Sequence, residues 1–178
     1  MLTLVIELFW LFLPAGVANM APVIFRRLSF LSCPVDFNKQ LKGQPIFGTH
    51  KTYRGFFFGI LAAIITVYLQ RLAGGPILDY ALVDYNQINI FWFGFLMGFG
   101  ALFGDLIRSF IKRRLKMEPG KLWIPFDQID WIIGSIAFTF FYFQLSYLMF
   151  FLALVLGGIL HMLANYLGYL LKIKRAKL

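Results

Sequence analysis

Residues 104 to 134, GDLIRSFIKRRLKMEPGKLWIPFDQIDWIIG, decide how the rest of the chain is read. An apolar, glycine-rich helix runs into Asp105. A basic stretch follows, carrying Arg108, Lys112, Arg113, Arg114, Lys116 and Lys121. Pro125 then opens a second apolar segment with Asp127 and Asp130 in its first turns. Carboxylate oxygens suit a hard cation such as Mg²⁺, and Lys and Arg suit phosphate oxygens. Acids and cations gathered beside lipid-length apolar helices are what a metal–polyphosphate site at a membrane surface requires.

Composition supports the membrane half of that reading. Of the 178 residues, 60% are hydrophobic and 14% charged, and the mean hydropathy is +0.76. Soluble domains are usually about 45–50% apolar with about 25% charge, so the chain is expected to be an integral membrane protein. Its length suggests one domain, residues 1–178, with no separate soluble part. The single Cys33 forms no internal disulfide, and no Cys/His cluster suggests zinc. The net charge of +9 is first a topology signal. Nothing arranges it as a nucleic-acid module, so no nucleic-acid partner is expected.

Outward from the central stretch, apolar runs recur. Leu2 to Ala18 lacks the basic start of a signal peptide and is read as a retained helix, with Pro14 and Gly16 marking a kink. Ala18 to Pro22 reads ANMAP, in which Asn19 is either a helix-end bonder or a ligand. A long polar loop follows to Arg54, punctuated by Pro34, Gly43, Pro45 and Gly48 and holding GTHKTYRG, residues 48 to 55. Phe56 to Leu69, Ile88 to Leu106, Phe126 to Leu145 and Leu148 to Leu171 are the further helices. Gly94, Gly98, Gly100 and Gly104 contain GxxxG spacing twice, a device for close helix packing. His161 and Asn165 lie one turn apart, as interhelical hydrogen bonders would.

Each run approaches the roughly 20 residues a bilayer requires. Arg26, Arg27, Lys39, Lys42, Lys51 and Arg54 fall in the first long loop, six more Lys and Arg between positions 108 and 121, and Lys172, Lys174, Arg175 and Lys177 in the tail. Five spans put all of these on one side and leave Arg71 alone on the other. By the positive-inside rule the expected fold is all-α and polytopic: five transmembrane helices, N-terminus outside, C-terminus cytoplasmic. The cytoplasmic loops are expected at about 24–54 and 108–125, with Asp79 outside. The protein would lie in the cell membrane with its active site on the cytoplasmic face, as a monomer or an oligomer.

The acids then converge with the basic loops. On a helix Asp105, Ser109, Lys112 and Lys116 form one stripe, Arg108 joins Asp105 at i+3, and Asp127 and Asp130 share a face. The helix macrodipole favours an acid in a first turn, but Asp130 precedes the membrane run Trp131 to Ile133. An intramembrane ionisable group reads as functional by default. Three carboxylates beside many cations fit phosphoryl or nucleotidyl transfer, with Mg²⁺ neutralising phosphates and basic residues holding the triphosphate.

At these residues the chain resembles a known family. SFIKRR, the spacing to P-x-D-Q-x-D, and the upstream Gly104-Asp105 are similar to the CTP transferase family of membrane cytidylyltransferases, which includes CDP-diacylglycerol synthase. The short length, ANMAP and HKTYRG look like its archaeal branch, the CDP-archaeol synthases. Trp123-Ile-Pro-Phe stands where the bacterial members carry a His-Gly-Gly run, which also favours that branch.

The resemblance implies transfer of CMP from CTP to an archaeal ether-lipid phosphate, with Mg²⁺. It implies Asp105, Asp127 and Asp130 as metal ligands and, with Lys112, as catalytic residues. Lys42, Lys51, Arg54, Lys112, Arg113 and Lys121 are then candidates for triphosphate or acceptor phosphate, and Asn19, Thr52 and Ser109 would line the nucleotide. The lipid tails would lie in an interhelical groove. The alternatives are a CDP-diacylglycerol synthase acting on phosphatidic acid and a small non-enzymatic transporter, although a transporter would place its ionisable groups near the midplane.

Overall fold

The computed structural model describes residues 1–48, 50–74, 81–118 and 120–170. Five helices follow in order: α1 Leu2–Ile24, α2 Tyr53–Ala73, α3 Ile90–Arg114, α4 Phe126–Thr139 and α5 Tyr147–Leu170. α1, α2, α3 and α5 are long and apolar enough to cross a membrane. Asp79 and the basic tail after Leu171 lie outside the described residues.

Several expected boundaries move. The fourth helix ends at Thr139, not Leu145. Its 14 residues rise about 21 Å, short of the roughly 30 Å hydrocarbon core. The reason is tertiary. After a turn closed by Tyr142 N–H donating to the Thr139 carbonyl at 2.9 Å, Tyr142 packs on Phe93 with ring centroids 5.1 Å apart, and Phe143 on Phe12 at 6.2 Å. Those aromatics fold back into the core instead of continuing the helix. Conversely, α3 does not stop before the basic stretch. It continues to Arg114, so the loop expected from 108 begins only at Leu115. Nothing in GDLIRSFIKRR breaks a helix, and Lys112, Arg113 and Arg114 suit its C-terminal dipole. ANMAP likewise belongs to α1, which carries both Pro14 and Pro22 within it.

α3 is the central helix, and its glycines divide the work. A Cβ on Gly98 would lie 2.8 Å from the Ala63 Cβ of α2, whereas one on Gly100 would lie 2.6 Å from the Gly134 carbonyl oxygen of α4. One GxxxG pair therefore admits α2 and the other admits α4, by close backbone approach. Leu8, Phe12, Ala63, Phe93, Met97, Trp131 and Ala153 belong to the common core. α5 is peripheral, burying Ala153 and Gly157.

The long loop is ordered by a few polar ties. Asp36 accepts backbone N–H groups from Asn38, Phe47 and Gly48 at 3.0, 2.9 and 3.1 Å. Gln40–Leu41 and Gln44–Pro45 pair as a two-stranded hairpin. Its turn residues Lys42 and Gly43 have φ of 51° and 72°, the positive values a two-residue hairpin turn demands. Arg114 donates to the carbonyls of Gln44 and Pro45 at 3.2 and 2.6 Å and also to that of Leu41. The hairpin is thereby fastened to the end of α3.

Candidate active site

Arg108 organises the site. One turn of α3 sets it beside Asp105, with which its guanidinium pairs. Across the glycine contact it meets both acids of α4: Nη1 lies 2.6 Å from Asp127 Oδ1 and Nε 2.9 Å from Asp130 Oδ2. Gly104 makes this possible, because a Cβ there would collide with the Asp130 carbonyl. All three carboxylates singled out from sequence therefore ring one guanidinium. Arg108 itself was legible only as the i+3 neighbour of Asp105.

Two lysines complete the cluster. Lys51, just before α2, pairs with Asp105. Lys112 is buried, with Nζ 3.0 Å from each oxygen of Asp127, and it also donates to the Lys121 carbonyl. The Trp123 N–H donates to Asp127 Oδ2 at 2.7 Å. Three anions thus face three cations. Buried charges cost several kcal/mol each unless paired and hydrogen-bonded, and here the pairing crosses α3, α4 and the loop before α2.

Asp130 is less completely satisfied. Its Oδ1 accepts the Trp131 N–H at 2.7 Å. Its Oδ2 is buried without a hydrogen bond, as is Arg108 Nε facing it. The two are close enough to attract as charges but poorly aligned for proton sharing. Among the described residues, no three acidic, His or Cys side chains meet in a group that could hold a metal ion as they stand; the three aspartates face Arg108 rather than one another.

The remaining sequence candidates have other surroundings. Thr52 caps α2, accepting the Gly55 N–H at 3.2 Å. Arg54 donates to the Leu28 carbonyl. Arg113 is buried, with Nη2 3.4 Å from the Glu118 carbonyl. Ser109 is buried on α3. Asn19 lies 3.5 Å from His161 Nδ1, linking α1 to α5. Lys42 is exposed at the hairpin turn, and the Lys121 side chain is exposed beside its bonded carbonyl.

A groove of about 300 Å³ opens between α3 and α4. Phe103, Ile107, Ile111, Ile129, Ile133 and Phe138 are among the residues that line it, and Arg108 and Asp130 are its charged members. The groove is apolar along its length, and Arg108 and Asp130 border it midway. Ile107 and Ile133 are 47% and 44% exposed, so its walls continue onto the outer face of the helices.

Comparison with known proteins gives a consistent picture. A family model described as CarS-like, CDP-archaeol synthase, matches residues 1–177. The CDP-archaeol synthase of Methanocaldococcus jannaschii is 35% identical over 93% of this chain and 92% of its own length. That of Pyrococcus furiosus is 36% identical over 96% of each. A solved structure described as an intramembrane enzyme for archaeal membrane lipid biosynthesis superimposes with a TM-score of 0.72. It is 30% identical and covers 88% of this chain and 91% of that one.

Proposed function

The chain belongs to the CarS-like family of CDP-archaeol synthases, and from that premise we propose its reaction and the part each residue takes. It is a membrane nucleotidyltransferase that moves CMP from CTP to 2,3-bis-O-geranylgeranylglycerol 1-phosphate, an unsaturated archaeal ether-lipid phosphate. The products are CDP-archaeol and pyrophosphate. The observation that carries this reading is the gathering of Asp105, Asp127 and Asp130 with Arg108, Lys51 and Lys112 beside an apolar groove that Arg108 and Asp130 border.

A lipid phosphate oxygen attacks the α-phosphorus of CTP. The new P–O bond forms as the bond to the bridging oxygen breaks, and its electron pair leaves with pyrophosphate. The acceptor is already anionic, so no general base is required. Lys51 and Arg108 offer donors to the triphosphate, where charge builds on the leaving group. The exposed Lys42 draws the nucleotide to the face. Lys112 acts as a positioning residue, fixing Asp127 and the backbone at Lys121. The groove holds the lipid tails with their phosphate toward Arg108.

The aspartates fit Mg²⁺ in kind: they are hard oxygen donors, and Asp130 Oδ2 is buried without a hydrogen bond. Asp105, Asp127 and Asp130 would hold the ion. When bound, it supplies neutralisation of phosphate charge and orientation of the attack. Although α4 alone is shorter than the hydrocarbon core, the segregation of basic residues supports five crossings, an outer N-terminus and an active face toward the cytoplasm.

The test is direct. Purified protein is given CTP and Mg²⁺ with either the prenyl ether-lipid phosphate or phosphatidic acid, and CDP-lipid is scored. CDP-lipid from the ether lipid is the expected product. Equal turnover of phosphatidic acid would reassign the acceptor, and no product from either would sink the transferase reading.

A further inference from the structure

We propose that Arg108 is a built-in stand-in for the metal ion, and that it makes the metal and the nucleotide enter together. The proposal deepens the metal-assisted reading above and rests on it. Arg108 contacts all three carboxylates, two of them on another helix. The six charged groups of the cluster, Arg108, Lys51 and Lys112 against Asp105, Asp127 and Asp130, sum to zero. A divalent cation arriving alone would leave the cluster doubly positive in partly buried surroundings, and it would have to separate the guanidinium from its partners.

The triphosphate removes both obstacles. It brings the negative charge that balances the ion. It also offers the planar guanidinium a pair of phosphate oxygens that it can engage through two parallel N–H groups. Arg108 then exchanges carboxylates for phosphate oxygens, and the carboxylates are released to the ion. Arg108 Nε and Asp130 Oδ2 already lie 2.9 Å apart without a hydrogen bond, so this contact is the one most readily exchanged. By linkage, the ion and the nucleotide must raise each other's affinity by the same factor.

Mn²⁺ serves as the probe, because its binding is read by electron paramagnetic resonance without turnover. Wild-type protein, R108Q and R108K are each titrated with Mn²⁺, with and without CTP, and a melting curve is taken for each. Wild type is expected to retain Mn²⁺ with CTP and to bind it poorly without. R108Q, which removes the stand-in charge, is expected to bind nucleotide-free Mn²⁺ at least about tenfold more tightly than wild type, within the range usual for coupled sites. R108K keeps a charge that cannot span all three carboxylates, and a smaller gain of about fivefold is expected. If R108Q melts below the assay temperature, R108K carries the comparison.

Wild-type protein that binds Mn²⁺ equally well without CTP overturns the proposal and leaves the metal site standing. So does nucleotide-free affinity that is unchanged in folded R108Q or R108K. Failure of every variant to retain Mn²⁺ even with CTP overturns the metal-assisted reading, and the proposal with it.

Discussion

Lys112 Nζ lies 3.0 Å from both carboxylate oxygens of Asp127, joining the end of α3 to the first turn of α4 from a buried position. Lys51 holds Asp105 from a position where its side chain is 21% exposed. The two lysines should therefore respond differently to truncation. K112A leaves a buried carboxylate short of a partner, a defect worth about 3–5 kcal/mol when no partner remains. Arg108 and the Trp123 N–H still reach Asp127, so the cost falls below that range. We expect a clear drop in melting temperature for K112A. K51A should melt close to wild type and lose CTP affinity. Calorimetric titration alongside thermal denaturation separates them, and unchanged CTP affinity in K51A would reduce that lysine to a topology signal.

The aspartates are expected to matter to the chemistry. D105N, D127N and D130N keep side-chain shape and remove one charge each. Loss of an electrostatic contribution of about 2.7–4 kcal/mol corresponds to about 100-fold or more in turnover. Extra lipid substrate should not restore it. If Asp127 served only the helix dipole, D127N would lose about 0.3–1 kcal/mol of stability and keep its rate. Turnover of all three across a Mg²⁺ titration decides the matter, and wild-type rates with an unchanged Mg²⁺ requirement would remove the metal site.

Gly104 offers a test of the α3–α4 contact. A methyl group there meets the Asp130 carbonyl, so G104A must push the helices apart at the carboxylates. Overpacking of this kind costs about 1–3 kcal/mol, and turnover should fall further than stability does. Gly158 on α5 is the control, since its added Cβ would find only Gln128 Cβ at 3.9 Å. G158A should be neutral or stabilising by up to about 1 kcal/mol. Similar melting and activity for both variants would contradict the close packing.

The loop before α2 should open in acid. Burial pushes the Asp36 carboxyl upward, but the N–H groups of Phe47, Gly48 and Asn38 outweigh it and hold the group below its usual range. A depressed folded value contributes stability above the unfolded value of about 3.9. That contribution disappears as pH falls through the lower folded value. Amide exchange over residues 36–48 should therefore accelerate in acid and stay slow at neutral pH. D36N should exchange quickly at both, and an acid-insensitive wild type would show that the carboxylate does not hold the loop.

Topology can be read by labelling intact cells. The native Cys33 is exposed and shares its loop with Lys42. An impermeant thiol reagent should spare Cys33, and in a Cys33→Ser background it should spare K42C and K116C and mark D79C. Labelling of K116C from outside would reverse the assignment of the active face.

α1, α2, α3 and α5 were legible because apolar runs of membrane length leave little choice, and both GxxxG pairs were legible because only close packing rewards that spacing. The three aspartates were legible as charges that a membrane segment does not carry without cause. Arg108 was harder. Its spacing tied it to Asp105, but its reach to Asp127 and Asp130 depends on how closely α3 and α4 pack. The end of α4 was hidden because Phe140 to Leu145 is as apolar as the helix before it; the packing of Tyr142 and Phe143 decides the break. The hairpin had a signal in Lys42-Gly43, and Asp36 had one in its local bond to Asn38. The clamp by Arg114 had none, because it joins residues about 70 positions apart.

The balanced charge cluster also bears on biogenesis. Many small metal-dependent folds are unfolded until their ion arrives. Here each carboxylate enters the low-dielectric interior already accompanied by Arg108, Lys51 or Lys112. On the metal-assisted reading proposed above, membrane insertion and helix assembly would need no divalent ion to neutralise these carboxylates.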